Sequence, residues 1–148
     1  MINPNDILQS VVTALQAIPG LSDVATIEAY DGESQIYRSL QEALDNLNYP
    51  TLIFITWDGA EAETSSCKSW THHVSLYLRC QSLTSDGTIG YFDLIQMITD
   101  GRPGGGWRFT ESEIHPDADP VQDFSVASVR DDDRGEFFHI TFGVTEKH

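Results

Sequence analysis

Apolar residues recur at helical spacing in three segments of the chain. The first predicted helix starts at Asn3, a good N-cap residue, has proline at its first position and ends before Pro19-Gly20. A second is predicted to begin at Ser34 and to end at Tyr49-Pro50, and a third is predicted to begin at Asp86 and to end at Asp100-Gly101. Their apolar faces are Ile7, Val11, Leu15 and Ile18; Ile36, Leu40, Ala43, Leu44 and Leu47; and Ile89, Phe92, Ile95 and either Ile98 or Thr99.

Strand patterns separate and follow these helices. Residues 51–57 form a nearly continuous apolar run, typical of a strand buried on both faces, whereas residues 70–80 alternate as in a half-exposed strand. The alternation places His72 and His73 on opposite faces. Further strands are predicted at residues 24–30, 107–114, 124–130 and 136–145.

The resulting order of elements is α-β-α-β-β-α-β-β-β. It indicates an α+β fold, a mixed and largely antiparallel sheet with about three helices packed on it. The chain has 148 residues, one domain's worth, so a single domain covering residues 1–148 is expected.

The net charge of the chain restricts its possible partners. The chain holds 23 acidic residues against 8 lysines and arginines, a formal net charge of −15. Such a surface repels phosphates, which disfavours binding to nucleic acid or to anionic membranes. No signal peptide or membrane span is apparent, so we expect a soluble protein folded in a cytoplasm, with Cys67 and Cys80 as reduced thiols.

The glycine-rich stretch DGRPGGGWRF, residues 100–109, raises the question of a phosphate site. It leaves a predicted helix and enters a predicted strand, the reverse of the order that phosphate loops require. Gly101 is expected to cap the helix C-terminus. Arg102, Trp107 and Arg108 are residue types that dominate interface energies, but Trp107 and Phe109 could equally enter the core from one strand face.

Other candidate chemistry is weaker. His72 and His73 lie on opposite strand faces, so both cannot bind one zinc ion. Ser65-Ser66-Cys67-Lys68 matches an S-x-x-K nucleophile motif but lacks the partner motifs that accompany it. The acids near residues 117–133 do not have the spacing of a calcium-binding loop. We therefore expect no catalytic, cofactor-binding or metal-binding residues and no enzymatic activity. A small metal-dependent or paired-carboxylate hydrolase remains a further hypothesis, because the distance between two carboxylates in the folded protein cannot be deduced from their spacing in the sequence.

Two stretches carry a resemblance to a known family. LNYPTLIFI, residues 47–55, and GTIGYFDLI, residues 87–95, which follows a strand ending in RCQSL, residues 79–83, resemble segments of the tail-terminator (tail-completion) proteins of tailed phages, especially the contractile Mu-type branch. The element order, the length and the amphipathic first helix also fit.

The resemblance implies a structural virion protein of the tail or neck, assembled in the host cytoplasm. It would form a ring, commonly a hexamer, that caps the tail tube. Its partners would be the tail-tube protein, possibly the sheath, and the head connector, and DNA would pass through the ring without being bound. The acidic surface suits such a channel. The alternative is an acidic DNA mimic that inhibits a cationic partner. The candidate contact residues with subunits or tube are Arg102, Trp107, Arg108, Asp58, Glu61, Glu63 and Lys68, and the candidate acidic lumen or turn face is Asp131, Asp132 and Asp133.

Overall fold

The computed structural model describes residues 1–30, 50–62, 69–131 and 135–147. Within them lies a five-stranded sheet of order β1-β2-β3-β5-β4, in which β1 is parallel to β2 and the other neighbouring pairs are antiparallel. The strands are β1 (Thr26–Ala29), β2 (Leu52–Ala62), β3 (Trp70–Arg79), β4 (Gln122–Asp131) and β5 (Gly135–Thr145). The predicted α+β class, with its mixed and largely antiparallel sheet, is confirmed.

Helices in the described residues are α1 (Pro4–Gln16), α2 (Leu21–Val24) and α3 (Tyr91–Asp100). The start of α1 is as predicted, because the Asn3 side chain accepts a hydrogen bond from the backbone N–H of Asn5 at 2.8 Å. The short α2 takes up the beginning of the predicted strand at residues 24–30. The predicted second helix, from Ser34 to Tyr49-Pro50, lies outside the described residues.

The core lies between the helices and one face of the sheet. The apolar stripe of α1, including Ile18 just beyond the helix, is buried as predicted, and Leu94 and Ile98 of α3 belong to the same cluster. The sheet contributes alternate residues from its central strands, as expected for a sheet that packs helices on one side. These residues are Ile53, Ile55, Val74, Leu76, Leu78, Phe138, Ile140, Phe142 and Val144.

The predicted start of α3 at Asp86 is wrong. Asp86 instead forms an isolated bridge with Thr88, and the helix begins at Tyr91 with Gly90 as N-cap. The Tyr91 N–H donates to the carbonyl of Ser82 at 3.0 Å, so the preceding loop's backbone takes over the capping role expected of an aspartate.

The apolar face predicted for α3 is correct at Ile98, which is buried, and wrong at Phe92. The buried residues are Tyr91, Leu94 and Ile98, whereas Phe92 is 52% exposed and packs edge-on against Phe138. Because the helix contains several more apolar residues than one face can bury, spacing alone does not select the stripe that meets the core.

The predicted strand at residues 107–114 is absent. A 3₁₀ turn occupies Phe109–Glu111, and Glu113 makes only an isolated bridge with Pro120. Conversely, β2 is longer than the strand predicted at residues 51–57. It continues to Ala62 past a bulge after Trp57, where Gly59 has φ of 115°. No helix in the described part of the chain is long and apolar enough to cross a membrane.

Candidate functional site

The segment that follows α3 is a loop with a fixed base. We call residues 101–109 the Trp107 loop. The N–H of Phe109 donates to the carbonyl of Gly101 at 2.6 Å and closes the loop. Phe109 is fully buried, with ring centroids 6.1 Å from Phe124 and 5.6 Å from Phe142. A third tie joins the loop to the end of α1, where Gly104 N–H donates to Ala17 O at 3.2 Å. The loop is therefore held at its base and on one side.

Position 101 has no room for a side chain, so it must be glycine. A Cβ atom there would lie 2.3 Å from the carbonyl oxygen of Met97 and 2.8 Å from the side chain of Ile18. Its φ of −60° and ψ of 143° are extended, so Gly101 ends α3 but does not use the left-handed conformation of common glycine caps. The left-handed positions lie further along, at Gly104 and Gly105, where they turn the chain back.

Trp107 sits on the outside of this loop. It is 75% exposed, and Arg102 and Arg108 are exposed on either side of it. Of the two readings that the sequence left open, burial is correct for Phe109 and wrong for Trp107, because the 3₁₀ turn replaces the strand that would have aligned them. Neither arginine makes an ion pair within the described residues.

Two adjoining cavities open beside the Trp107 loop. The larger, of about 920 Å³, is lined by Pro103, Gly106, Trp107, Thr110, Glu111, Ser112, Glu113, Pro120 and Val121. The smaller, of about 520 Å³, lies between α1 and residues 113–116 and is lined by Asp6, Gln9, Ser10, Thr13, Ala14, Ala17, Pro103, Glu113, Ile114, His115 and Pro116. Since they share Pro103 and Glu113, we treat them as one feature, the Trp107 groove.

The groove carries carboxylates. Asp6, Glu111 and Glu113 line it and are exposed, and no lysine or arginine is among the lining residues. Lys147 reaches it from the C-terminal end of the described chain, with its Nζ 3.2 Å from Glu113 Oε1. An open trough with an indole on its wall and three carboxylates suits a cationic group better than an anion.

The remaining predicted site residues, both the contact residues and the acidic lumen or turn face, lie on β2, at the end of β4 or outside the described residues. Asp58 and Glu61 lie on the second half of β2, and Glu61 faces His73 with 3.5 Å between Oε1 and Nε2. Asp131 is the last residue of β4. Glu63, Lys68, Asp132 and Asp133 lie outside the described residues. Arg102, Trp107 and Arg108 thus share one loop, whereas Asp58 and Glu61 lie on the sheet.

Asp58 belongs to a polar cluster on the sheet face opposite the core. Its carboxylate accepts hydrogen bonds from the hydroxyls of Thr56, at 2.8 Å, and Ser75. Burial, and then the charge of Asp58, raises the pKa of Tyr77. The Tyr77 ring stacks on His139 with centroids 4.5 Å apart.

His139 and Ser75 do not form a catalytic pair in this cluster. His139 Nε2 is buried and finds no hydrogen-bond partner among the described residues, and burial lowers the pKa of His139 although the charge of Asp58 opposes the shift. Because Ser75 bonds directly to Asp58 and no histidine nitrogen contacts its hydroxyl among the described residues, the serine has no adjacent base to activate it.

A buried polar chain on the core side was missed by sequence reasoning. His72 is fully buried; its Nδ1 accepts from Trp57 Nε1 at 3.0 Å, and its Nε2 lies 2.7 Å from Glu146 Oε2. Because an indole can only donate, Nδ1 is unprotonated and Nε2 carries the proton that Glu146 accepts. The same Glu146 oxygen accepts from the Ile2 N–H at 2.9 Å. These partners are up to 144 positions apart in sequence, which is why spacing gives no sign of them.

Metal binding has no support from geometry in the described residues, where no three of His, Cys, Asp or Glu converge. Cys80 is buried in the core cluster, and burial raises the pKa of its thiol to about 12. Comparison with models of known protein families finds no match, and comparison with curated proteins finds none either.

Proposed function

We propose that this chain is a structural virion protein of the tail-terminator class. In this proposal it forms a homo-oligomeric ring at the head-proximal end of a phage tail, ends growth of the tail tube and joins the tube to the head connector. The observation that carries the proposal is the 75% exposure of Trp107 on a loop whose base is fixed in the core. An exposed tryptophan between two arginines has the composition of an interface hot spot.

The charge of the chain supports the same role. A net charge of −15 gives a surface that does not hold phosphates, which suits a ring through which DNA slides. Subunits around a ring meet through two different surfaces, head to tail. Arg102 and Arg108, which make no ion pair with the residues that the structure describes, provide a cationic spot that an acidic neighbour, another subunit or the tube, would match.

Assembly on tail tubes tests the proposal. Purified protein is mixed with tail-tube protein, sedimentation velocity measures its oligomeric state, and negative-stain images score tube ends that carry a ring. Removing a hot-spot tryptophan costs about 2 kcal/mol or more, roughly thirtyfold in affinity, so Trp107→Ala is expected to abolish rings at protein concentrations that suffice for the wild type. The charge reversal Arg102→Glu with Arg108→Glu is expected to do the same.

Leu83→Ala is the matched control, since Leu83 is 40% exposed but lies outside the Trp107 loop. A wild-type protein that stays monomeric with tail-tube protein and leaves tube ends bare would refute the proposal. Competition with DNA for a cationic protein at low salt would then favour the DNA-mimic alternative.

A further inference from the structure

We propose that the Trp107 groove binds an extended, arginine-containing segment of a partner protein. This inference goes beyond the tail function and does not rest on it, because it concerns the groove of a single chain and is tested with a free peptide. Peptide binding and ring assembly can therefore fail independently of each other.

The shape of the groove favours a polypeptide segment. Its larger part, about 920 Å³, lies at the upper end of the range of small-molecule sites, about 300–1,000 Å³, but several of its walls are exposed. Trp107, Glu111, Glu113 and Pro120 all retain contact with solvent. A small molecule would be left largely uncovered there, whereas a chain segment lying along the trough continues into the smaller part beside α1.

Charge determines which kind of segment fits. Asp6, Glu111 and Glu113 give the groove three carboxylates, and the ammonium of Lys147 offsets one of them. An acidic peptide or a phosphate would be repelled, and a neutral peptide would leave these charges without a partner. A cationic side chain gains from the carboxylates and from the low cation content of the lining.

Trp107 favours arginine over lysine. A guanidinium stacks flat on an indole and still donates paired hydrogen bonds to a carboxylate at its edge, whereas an ammonium offers a point charge. The apolar wall of Pro103, Trp107, Pro120 and Val121 suits the aliphatic part of an arginine side chain. Arg102 and Arg108 are not among the residues that line the groove.

A titration with short peptides tests the inference. The probe is acetyl-GRARG-amide, and its control has citrulline in place of both arginines, which keeps the planar group and removes the charge. Binding is measured by nuclear magnetic resonance on ¹⁵N-labelled protein, following the indole N–H of Trp107. The arginine peptide is expected to bind at least tenfold more tightly than the citrulline peptide and to weaken as NaCl rises from 50 to 300 mM.

Variants locate the site. Glu111→Gln with Glu113→Gln is expected to weaken the arginine peptide about tenfold, and Trp107→Leu at least fivefold. Glu28→Gln, at an exposed glutamate on β1 outside the groove, is expected to leave the affinity unchanged. All these side chains are at the surface, so thermal unfolding should confirm that each variant folds.

Three outcomes would overturn the inference. One is equal binding of the citrulline peptide, and another is full affinity in the double glutamine variant. The third is a wild-type protein whose Trp107 indole signal does not respond to the arginine peptide; if that protein also self-associates, a second copy of this chain is the occupant of the groove.

Discussion

Trp57→Phe is expected to lower the free energy of unfolding by about 2 kcal/mol. The substitution removes the indole N–H that His72 Nδ1 accepts and leaves that nitrogen unpartnered at a fully buried residue. An orphaned buried polar group costs about 1–3 kcal/mol. Trp57 is only half-buried, so the smaller ring loses little further apolar contact. In a chain of this size the loss corresponds to a melting temperature lower by about 6 °C.

Urea unfolding followed by far-ultraviolet circular dichroism measures this loss, since that signal does not depend on the tryptophan removed. Trp70→Phe is the control: Trp70 has similar exposure, and its indole N–H makes no hydrogen bond in the described structure. A loss below about 0.5 kcal/mol for Trp57→Phe, or an equal loss in both variants, would refute the reasoning.

The histidine itself gives a second readout of the same hydrogen bonds. In the wild type, ¹⁵N chemical shifts should show His72 protonated on Nε2 and bare on Nδ1, because Trp57 donates to one nitrogen and Glu146 accepts from the other. Trp57→Phe removes the donor to Nδ1 but leaves Glu146 to accept from Nε2, so the same tautomer is expected in the variant, with the Nδ1 shift changed by the loss of its hydrogen bond. A wild-type His72 protonated on Nδ1 would contradict the assignment.

Three further predictions follow from buried contacts. Gly101→Ala should destabilise the fold by about 1–3 kcal/mol because its Cβ meets Met97 O, whereas Gly106→Ala, with ordinary spacing of 3.5 Å, should cost little in urea unfolding. Because burial lowers the pKa of His139 in the folded state, neutral His139 contributes its full stabilisation above about pH 6.5, and this contribution is lost as the pH falls below that value. His139→Phe should therefore reduce the difference in the free energy of unfolding between pH 8 and pH 5. In a Cys67→Ser background, Cys80 should react with iodoacetamide at pH 8 only after unfolding, since a pKa of about 12 leaves roughly one thiol in ten thousand ionised; rapid native labelling would contradict this.

Much of the fold could be predicted from local pattern. Three features depend only on residues close together in the chain and are therefore predictable from a single sequence. They are the N-cap at Asn3, the apolar face of α1 and the alternation of β3 and β5. The start of α3 could not be predicted, because the carbonyls that cap it belong to a loop whose course is set by tertiary packing.

The candidate site was partly predictable for the same reason. Residue types in the glycine-rich stretch single out Arg102, Trp107 and Arg108 as candidate contact residues, and the structure places them in one loop with Trp107 exposed. The sequence could not show that Phe109 enters the core while Trp107, two positions earlier, stays outside, because that depends on the 3₁₀ turn and on the space around Gly101. The groove brings together residues of α1 and of residues 103–121, which spacing does not align.

The tied base of the Trp107 loop has a kinetic consequence. Because Phe109 and Gly104 already hold the loop in the free chain, a partner that meets Trp107 does not first have to order it. Association should then proceed at the rate of ordinary rigid docking, about 10⁵–10⁷ M⁻¹s⁻¹, without a slow folding step. Differences in affinity among partners, or among variants of this loop, should appear chiefly as differences in how long each complex lasts.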